Sequence, residues 1–561
     1  MAFLLGKKQG GKVYYYLAES ARVDGKPRIV SQSYLGSAEE VVARLQAGGP
    51  GEPDRSRHLS FGDVAAAWSV ICRLRIAEIV DEVVGQRRGD AKASVGTYIA
   101  LAVLNRVCAP CSKLAFADWW ATVAGDHLVR VSSAALDHRR FWDAMDMISP
   151  SQLAEIERRI IAGMIQSFDL DCSGLVLDMT NFATYIDSGN DKAPIAQRGH
   201  AKQKRNDLRL IGLGLVVSVD GGIPLVSHAY AGNDPDVTQF PLMLDEPVGR
   251  FFDLASGAEL TVVFDAGQDS SDNQAKIEAS PLHFVGSLPP SDHKELLAEP
   301  ASSYRPVDGV AFPGLTAFEA RKVVFGTEYR LVLTHSQNLH DKQCAGFAQT
   351  LAKATRQLAA VKTRLGRGRT RKATRAVAEE IAAILKPRWC ARVITWGLSG
   401  EEPAELSLDF AIDDEARALL EEELFGKRIL FTDRDDWPLQ AVVAAYRSQS
   451  FVEADFRQMK DPKVVSFSPM FHWTDHKIRV HVQYCVLALA VTRLMVREAR
   501  QAGIAMSVRE LLDTLAGIQE TVLLYQGDRG RPRARRMLTE MAPAQRRLYD
   551  LFTLDAYAPP R

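Results

Sequence analysis

Two aspartates and one glutamate have the types and spacing to do chemistry in this sequence. Asp178 closes a short apolar run, GLVLD at 174–178, and Asp265 closes another, TVVFD at 261–265, 87 residues further on. Short apolar runs bounded by polar residues read as buried strands. A carboxylate at the mouth of such a strand is costly to bury unless it is paired or binds a metal. Taken alone, one strand-end Asp is more often a turn-former held by backbone N–H groups. The third carboxylate, Glu453, lies in YRSQSFVEADFRQMK at 446–460. That segment has no Gly or Pro and brings Phe451, Val452, Phe456 and Met459 near one helical face. Two strand-end Asp residues and a helical Glu make an oxygen-donor set suited to Mg²⁺ or Mn²⁺. Two such ions roughly 4 Å apart clamp the attacking and leaving oxygens of an in-line phosphoryl transfer.

The surrounding elements must bring these carboxylates together. Strand 174–178 is followed by β-rich runs at 208–218 and 223–230, separated by the hairpin signal Asp220-Gly221-Gly222. A helix at 236–244, strand 261–265, a helix at 271–278 capped by Ser270 or Ser271, and a strand at 283–287 come next. Three strands in a meander, then α-β-α-β, is the order of a ribonuclease-H-like α/β core, with both Asp residues at one edge of the sheet, where open α/β sheets place their sites. Asp265 and Glu453 are 188 residues apart, far more than one connection needs. A large α+β insertion is therefore expected, with strand runs near 322, 329, 391 and 428 and helices near 339–362 and 373–386. On the helix of Glu453, Tyr446 and Lys460 lie seven residues before and after it, two turns away on the same face.

At 561 residues, 47% hydrophobic and 25% charged, the chain has ordinary globular composition and room for several domains. Lys+Arg and Asp+Glu balance at 69 each, so nucleic-acid binding must rest on local basic patches. Three stand out: Arg198, Lys202, Lys204 and Arg205 between the two Asp residues; Arg367, Arg369 and Arg371 in the Arg-rich turn 364–372; and Arg529–Arg536 near the C-terminus. Seven scattered Cys suit a reduced compartment better than a disulfide framework. The lone C-x-x-C at Cys108–Cys111 is a weak metal signal, and His472, His476 and His481 read as packing or DNA-contacting residues. No membrane span or signal peptide is expected, which places the protein in the cytoplasm. The expected organisation is a β unit at 1–57, ending in the linker 48–57, and a helical DNA-binding domain at 58–170. The core follows at 171–300, the insertion at 301–440, the second part of the core at 441–500, and a helical, basic tail at 501–561.

On these residues the chain resembles bacterial insertion-sequence transposases of the DDE class, in the branch with a Tyr-x2-Arg-x3-Glu-x6-Lys signature. Tyr446, Glu453 and Lys460 match that spacing; Gln449 stands where the signature has Arg, with Arg447 two places earlier. The resemblance extends to 199–225, 232–240 and 471–491. It implies Asp178, Asp265 and Glu453 as catalytic metal ligands for two Mg²⁺ ions, with Mn²⁺ as a substitute. It implies Tyr446, Arg447 and Lys460 as phosphate-positioning groups. The partners implied are double-stranded DNA, both inverted-repeat ends and target, and a second copy of the chain. In related transposases that cut through a hairpin, a Trp of the insertion stacks on a flipped base; Trp389, Trp396 and Trp437 are candidates here. A catalytically inactive DNA-binding relative and a metal-dependent nuclease of the same fold are the alternatives.

Overall fold

The aromatic and β-branched runs at Tyr14–Tyr16 and 28–34 favour extended chain, and the first strands form there. The computed structural model describes residues 2–23, 26–46, 52–85, 93–202, 205, 207–245, 259–369, 372–525 and 533–560. The chain divides into two compact units: Met1–Ser69 with Leu114–Leu136 and Ala499–Arg561, and Val70–Lys113 with Asp137–Glu498.

In the first unit, β1 (Ala2–Gln9), β2 (Lys12–Val23) and β3 (Lys26–Ser37) form an antiparallel sheet in that order. The turn signal between β2 and β3, Asp24-Gly25, lies outside the described residues. A second sheet joins β4 (Arg55–Ser60) to strands from the far end of the chain. Its order is β17-β16-β4, and all its pairings are antiparallel. Two expectations are corrected here. Arg55–Arg57, read as linker, begins a strand, and the tail read as helical and basic contains strands β16 (Gln519–Tyr525) and β17 (Arg533–Leu538). The polar run RSRHLS has no apolar alternation of its own. It is extended because β16, more than 450 residues later, supplies its hydrogen-bond partners. Of the basic stretch 529–536, Arg533, Arg535 and Arg536 lie on β17, and 529–532 lie outside the described residues. Arg536 there is paired inward with the buried Glu520, at 2.9 Å.

The second unit is built on a nine-stranded sheet in the order β10-β11-β12-β15-β9-β8-β5-β6-β7. Its strands are β5 (Gly174–Thr184), β6 (Arg209–Ser218), β7 (Pro224–Ala231), β8 (Thr261–Val263), β9 (His283–Leu288), β10 (Arg305–Pro306), β11 (Leu315–Val324), β12 (Thr327–Ser336) and β15 (Lys427–Thr432). β5 through β7 are an antiparallel meander. β8 pairs parallel to β5 and β9 parallel to β8. The helix Ser271–Glu278, capped by Ser270 Oγ on the Asn273 N–H at 3.1 Å, makes the β8–β9 crossover. Phe264, Phe284 and Phe431 form an aromatic layer across β8, β9 and β15, with centroids 5.0–6.0 Å apart. Gly286 admits it, because a Cβ there would lie 2.3 Å from the Phe431 ring and 2.9 Å from Phe264. Gly286→Ala is expected to cost about 1–3 kcal/mol by overpacking, read as a lower denaturant midpoint with an unchanged slope.

The expected insertion is only partly a separate body. Its strands β10, β11, β12 and β15 extend the central sheet. The remainder, helices Gln337–Leu365, Thr374–Leu385 and Asp414–Leu424 with the hairpin β13 (Ile394–Ser399) and β14 (Ser407–Ile412), has its own core around Leu358, Ile381, Cys390, Leu408 and Phe425. One helix among the described residues, Asp475–Gln501, is long and apolar enough by length and composition to cross a membrane. However, 89% of its apolar window is buried inside the protein, as for a core helix.

Candidate active site

β5 and β8 pair in register as Gly174↔Thr261, Leu175↔Val262 and Val176↔Val263. Asp178 lies two residues further along β5 than the last of these pairs, and Asp265 lies two residues past the end of β8. Side chains alternate between faces of a sheet. Met179 pairs with Gly214, and a Cβ on Gly214 would strike Met243 Sδ of the helix Asp236–Met243. Asp178 therefore lies on the opposite face. That is also the face of Thr180, whose hydroxyl accepts from Lys460 Nζ at 2.7 Å.

Asp178 is half-buried, and its Oδ1 accepts from the Met179 N–H at 2.7 Å. Burial pushes its pKa up to about 6. The Met179 N–H and Lys202 oppose the shift, and Asp265 and Asp236 add to it. Asp265 is exposed and held by one oxygen: Ser287 Oγ donates to Oδ1 at 2.7 Å and Tyr446 Oη at 3.0 Å. Arg428, on β15, donates to Tyr446 Oη at 2.9 Å. Burial, then Asp265, pushes the Tyr446 phenol up to about 12, so it stays a donor. Four residues on, both carboxylate oxygens of Asp269 are buried without a hydrogen-bond partner among the described residues. Burial and then Asp265 push that carboxyl up to about 8.

Glu453 is exposed and makes no hydrogen bond or ion pair among the described residues. It lines a cavity of about 250 Å³ with Arg428, Tyr446, Arg447 and Gln449. The expected single helix from Tyr446 to Lys460 is two: Leu439–Arg447 and Gln449–Met459, broken at Ser448, whose hydroxyl turns back onto the Ala445 carbonyl. The break divides the expected stripe. Tyr446 reaches Asp265, and Lys460 reaches Thr180 and the Phe182 ring at 5.5 Å. Burial and then Lys202 lower the Lys460 pKa, and Asp178 opposes this. Gln449, at the signature's Arg position, is buried, with Nε2 unpartnered among the described residues.

The segment after Lys460 is pinned by Arg106, which is fully buried. Its guanidinium donates to the carbonyls of Ser468 at 2.9 Å, Pro469 at 3.0 Å, Cys111 at 3.2 Å and Ser466 at 3.3 Å. His481 and His476 are packing residues, on the Phe467 and Met145 carbonyls at 2.8 Å each, and His472 is buried.

Among the basic residues, Lys202 turns inward to the Met179 carbonyl at 2.6 Å and Asp236 at 2.7 Å. Arg198 donates to Ser188 Oγ at 2.9 Å, and Arg205 forks onto Asp207 at 2.8–2.9 Å. Arg447 stacks on Phe312 at 4.9 Å. Arg367 and Arg369 are exposed beyond the end of the 29-residue helix Gln337–Leu365, whose length is about 43 Å. Lys204 and Arg371 lie outside the described residues. Trp389 packs on Phe425 at 4.8 Å, Arg434 sits over Trp437 at 4.8 Å, and Trp396 is partly exposed on β13.

No family model matches the chain, and no curated protein matches it. A solved structure, piggyBac transposase in a synaptic complex with hairpin DNA, is similar to it at 11% identity and a TM-score of 0.36, over 83% of this chain and 82% of that one. A likeness at that level says nothing further about the chain.

Asp178 and Asp265 fit a hard divalent cation. Both are oxygen donors, and Asp178 is buried more deeply than Met179 and Lys202 can compensate. Glu453 is not gathered with them, and no three His, Cys, Asp or Glu side chains among the described residues form a ready metal centre. Sequence reasoning missed Arg428, Ser287, Asp236 and Asp269. Arg428 was hidden in an apolar strand run, and Asp269 in DSSD, which reads as helix capping.

Proposed function

We propose that this chain is a DNA transposase with a ribonuclease-H-like catalytic core, cutting transposon ends and joining the freed 3′-OH to target DNA. The observation that carries this reading is the parallel pairing of β5 with β8, with Asp178 on β5 and Asp265 just past the end of β8, in the strand order β7-β6-β5-β8-β9. Asp178 and Asp265 would hold Mg²⁺ or Mn²⁺, with Glu453 as the third carboxylate of the set. Bound there, the cations activate water and stabilise the charge of the leaving oxygen. Ser287 and Tyr446 fix the Asp265 carboxylate, and Arg428 fixes Tyr446. Arg428 thereby supplies, from β15, a cation that the signature places at position 449. Lys460 holds a positive charge beside Asp178 for the scissile phosphate. Two ends are processed together, so the protein acts as a homodimer on double-stranded DNA, in the cytoplasm. Arg198, Arg205, Arg367, Arg369 and Arg447 are the exposed cations proposed for the DNA backbone, and Lys204 and Arg371 are proposed with them from sequence alone.

The test incubates purified protein with Mg²⁺, labelled DNA carrying its element's ends and a supercoiled plasmid. Cut ends and joined plasmid support the proposal. Cutting without joining marks a nuclease. Binding without cutting in either metal marks an inactive DNA-binding relative, the reading that the separation of Glu453 from the aspartates favours. Tyr446→Phe removes the bridge between Arg428 and Asp265. It is expected to lower the cleavage rate about 10–100-fold, the usual effect of losing an outer-shell partner, with end binding unchanged in a gel-shift assay.

A further inference from the structure

Three large rings stand in solvent on the loops next to the site: Tyr185 is 68% exposed, Phe471 63% and Trp473 53%. One exposed ring is ordinary on a protein surface, but a group of them gathered around cations marks a binding surface. Their two loops are tied together by backbone. Asn190 Nδ2 donates to the Trp473 carbonyl at 2.7 Å, and the Asp475 N–H donates to the Lys192 carbonyl at 2.9 Å. Asp475 Oδ1 accepts from the Ile195 N–H at 2.9 Å. The main chain at Trp473 is thus fixed while its indole is left in water.

Cations surround the rings. Lys192 Nζ lies 5.1 Å from the centre of the Trp473 ring. Arg205 interacts with the Tyr185 hydroxyl as well as Asp207, and Arg198 is anchored on Ser188. The same loop returns to the sheet at Asn181, whose side chain bonds the His200 carbonyl at 2.9 Å and the Lys202 N–H at 3.1 Å. Lys202 then reaches the Met179 carbonyl, one residue from Asp178. Tyr185 directly follows the last residue of β5. Tyr185 therefore stands beyond the C-terminal end of the strand that carries Asp178, and the chain that follows it, at Asn190–Ile195, holds the loop of Phe471 and Trp473.

We propose that Tyr185, Phe471 and Trp473 form a stacking platform for unpaired DNA bases, with Lys192, Arg198 and Arg205 holding the phosphates between them. Bases of a closed duplex stack on each other and offer their faces to protein only at an end. Exposed rings between cations therefore select unpaired nucleotides, without regard to sequence. The choice of DNA over other polymers rests on the function proposed above; the stacking chemistry does not.

The test measures fluorescence anisotropy of a short labelled oligo(dT) and of a blunt duplex, titrated with the full chain, Trp473→Ala and Phe471→Ala. Both rings are exposed, so the variants should melt like the parent protein. Each substitution is expected to weaken oligo(dT) binding about tenfold and to leave duplex binding nearly unchanged. Trp473→Phe should restore most of the loss and Trp473→Leu should not, because the effect requires a flat ring. Equal oligo(dT) affinity in the parent and Ala variants would overturn the platform even if the chain cuts DNA. Ring-dependent oligo(dT) binding by a chain that never cuts would uphold the platform and overturn the transposase.

Discussion

Asp178→Asn abolishes Mg²⁺-dependent cleavage in the expected result, by at least about 10³-fold, and leaves end binding within a few-fold of the parent protein. Asn keeps the shape and the oxygen that meets the Met179 N–H but removes the charge that would hold a cation. The variant also carries a stability signature that follows from the burial of the carboxyl. The folded pKa of Asp178 is raised to about 6, mainly by burial. Its protonated form therefore stabilises the fold at low pH, and that contribution is lost as pH rises from about 4 through about 6. At pH 7.5 Asp178→Asn should exceed the parent in stability by about 3 kcal/mol, at ~1.4 kcal/mol for each tenfold change in proton affinity between 3.8 and about 6. Near pH 4 the difference should vanish. Mg²⁺ should raise the melting temperature of the parent and leave the variant unmoved, because only a ligand bound by the folded state stabilises it. Full cleavage by Asp178→Asn would remove Asp178 from the site. An equal Mg²⁺ shift in both proteins would place the cation elsewhere.

The second large effect lies away from catalysis, at Lys113. Its ammonium is buried with no hydrogen-bond partner among the described residues. It sits 4.5 Å from the centre of the Tyr484 ring and 5.1 Å from that of Phe141. Burial, then Arg106, brings its pKa down to about 7, while Cys485 and Cys111 oppose the shift. The folded protein thus binds this proton more weakly than the unfolded chain, whose lysine titrates near 10.5. Stability should rise with pH between about 7 and 10.5, and the full cost is present below 7. That cost is on the order of 3–5 kcal/mol, offset by ~1–2 kcal/mol from the two rings. Lys113→Met fills similar space without the charge. It should raise the melting temperature by several degrees at pH 6.5, and the gain should shrink toward pH 10. A gain independent of pH would show that the charge of Lys113 is not the cause.

Much of the core was legible because its signals are local. The hairpin at Asp220-Gly221-Gly222 and the capped helix Ser271–Glu278 carry their signal within a few residues and stand where the pattern places them, whereas the strand read as ending at Asp178 runs on to Thr184 and the one read as ending at Asp265 stops at Val263. The two runs do pair, in parallel, over their first three residues. The break at Ser448 was not legible. The segment is good helix throughout by composition, and Ser448 itself keeps a right-handed helical backbone, so no local residue marks the boundary. Strands at 322–324, 329–336 and 427–432 carried the right propensity, but nothing local says that they complete the central sheet rather than form one of their own.

The sequence by itself determined that strands and capped helices surround the two aspartates, though not where each ends, because hydrophobic period and capping act within a turn or two of chain. Tertiary structure alone decided that Arg428 from β15 meets Tyr446, that Arg106 pins the segment behind Lys460, that β4 pairs with β16, and that Glu453 stands apart from the two aspartates. Those outcomes depend on hydrogen bonds and burial between segments tens to hundreds of residues apart, and no local pattern encodes which distant partner will satisfy a polar group.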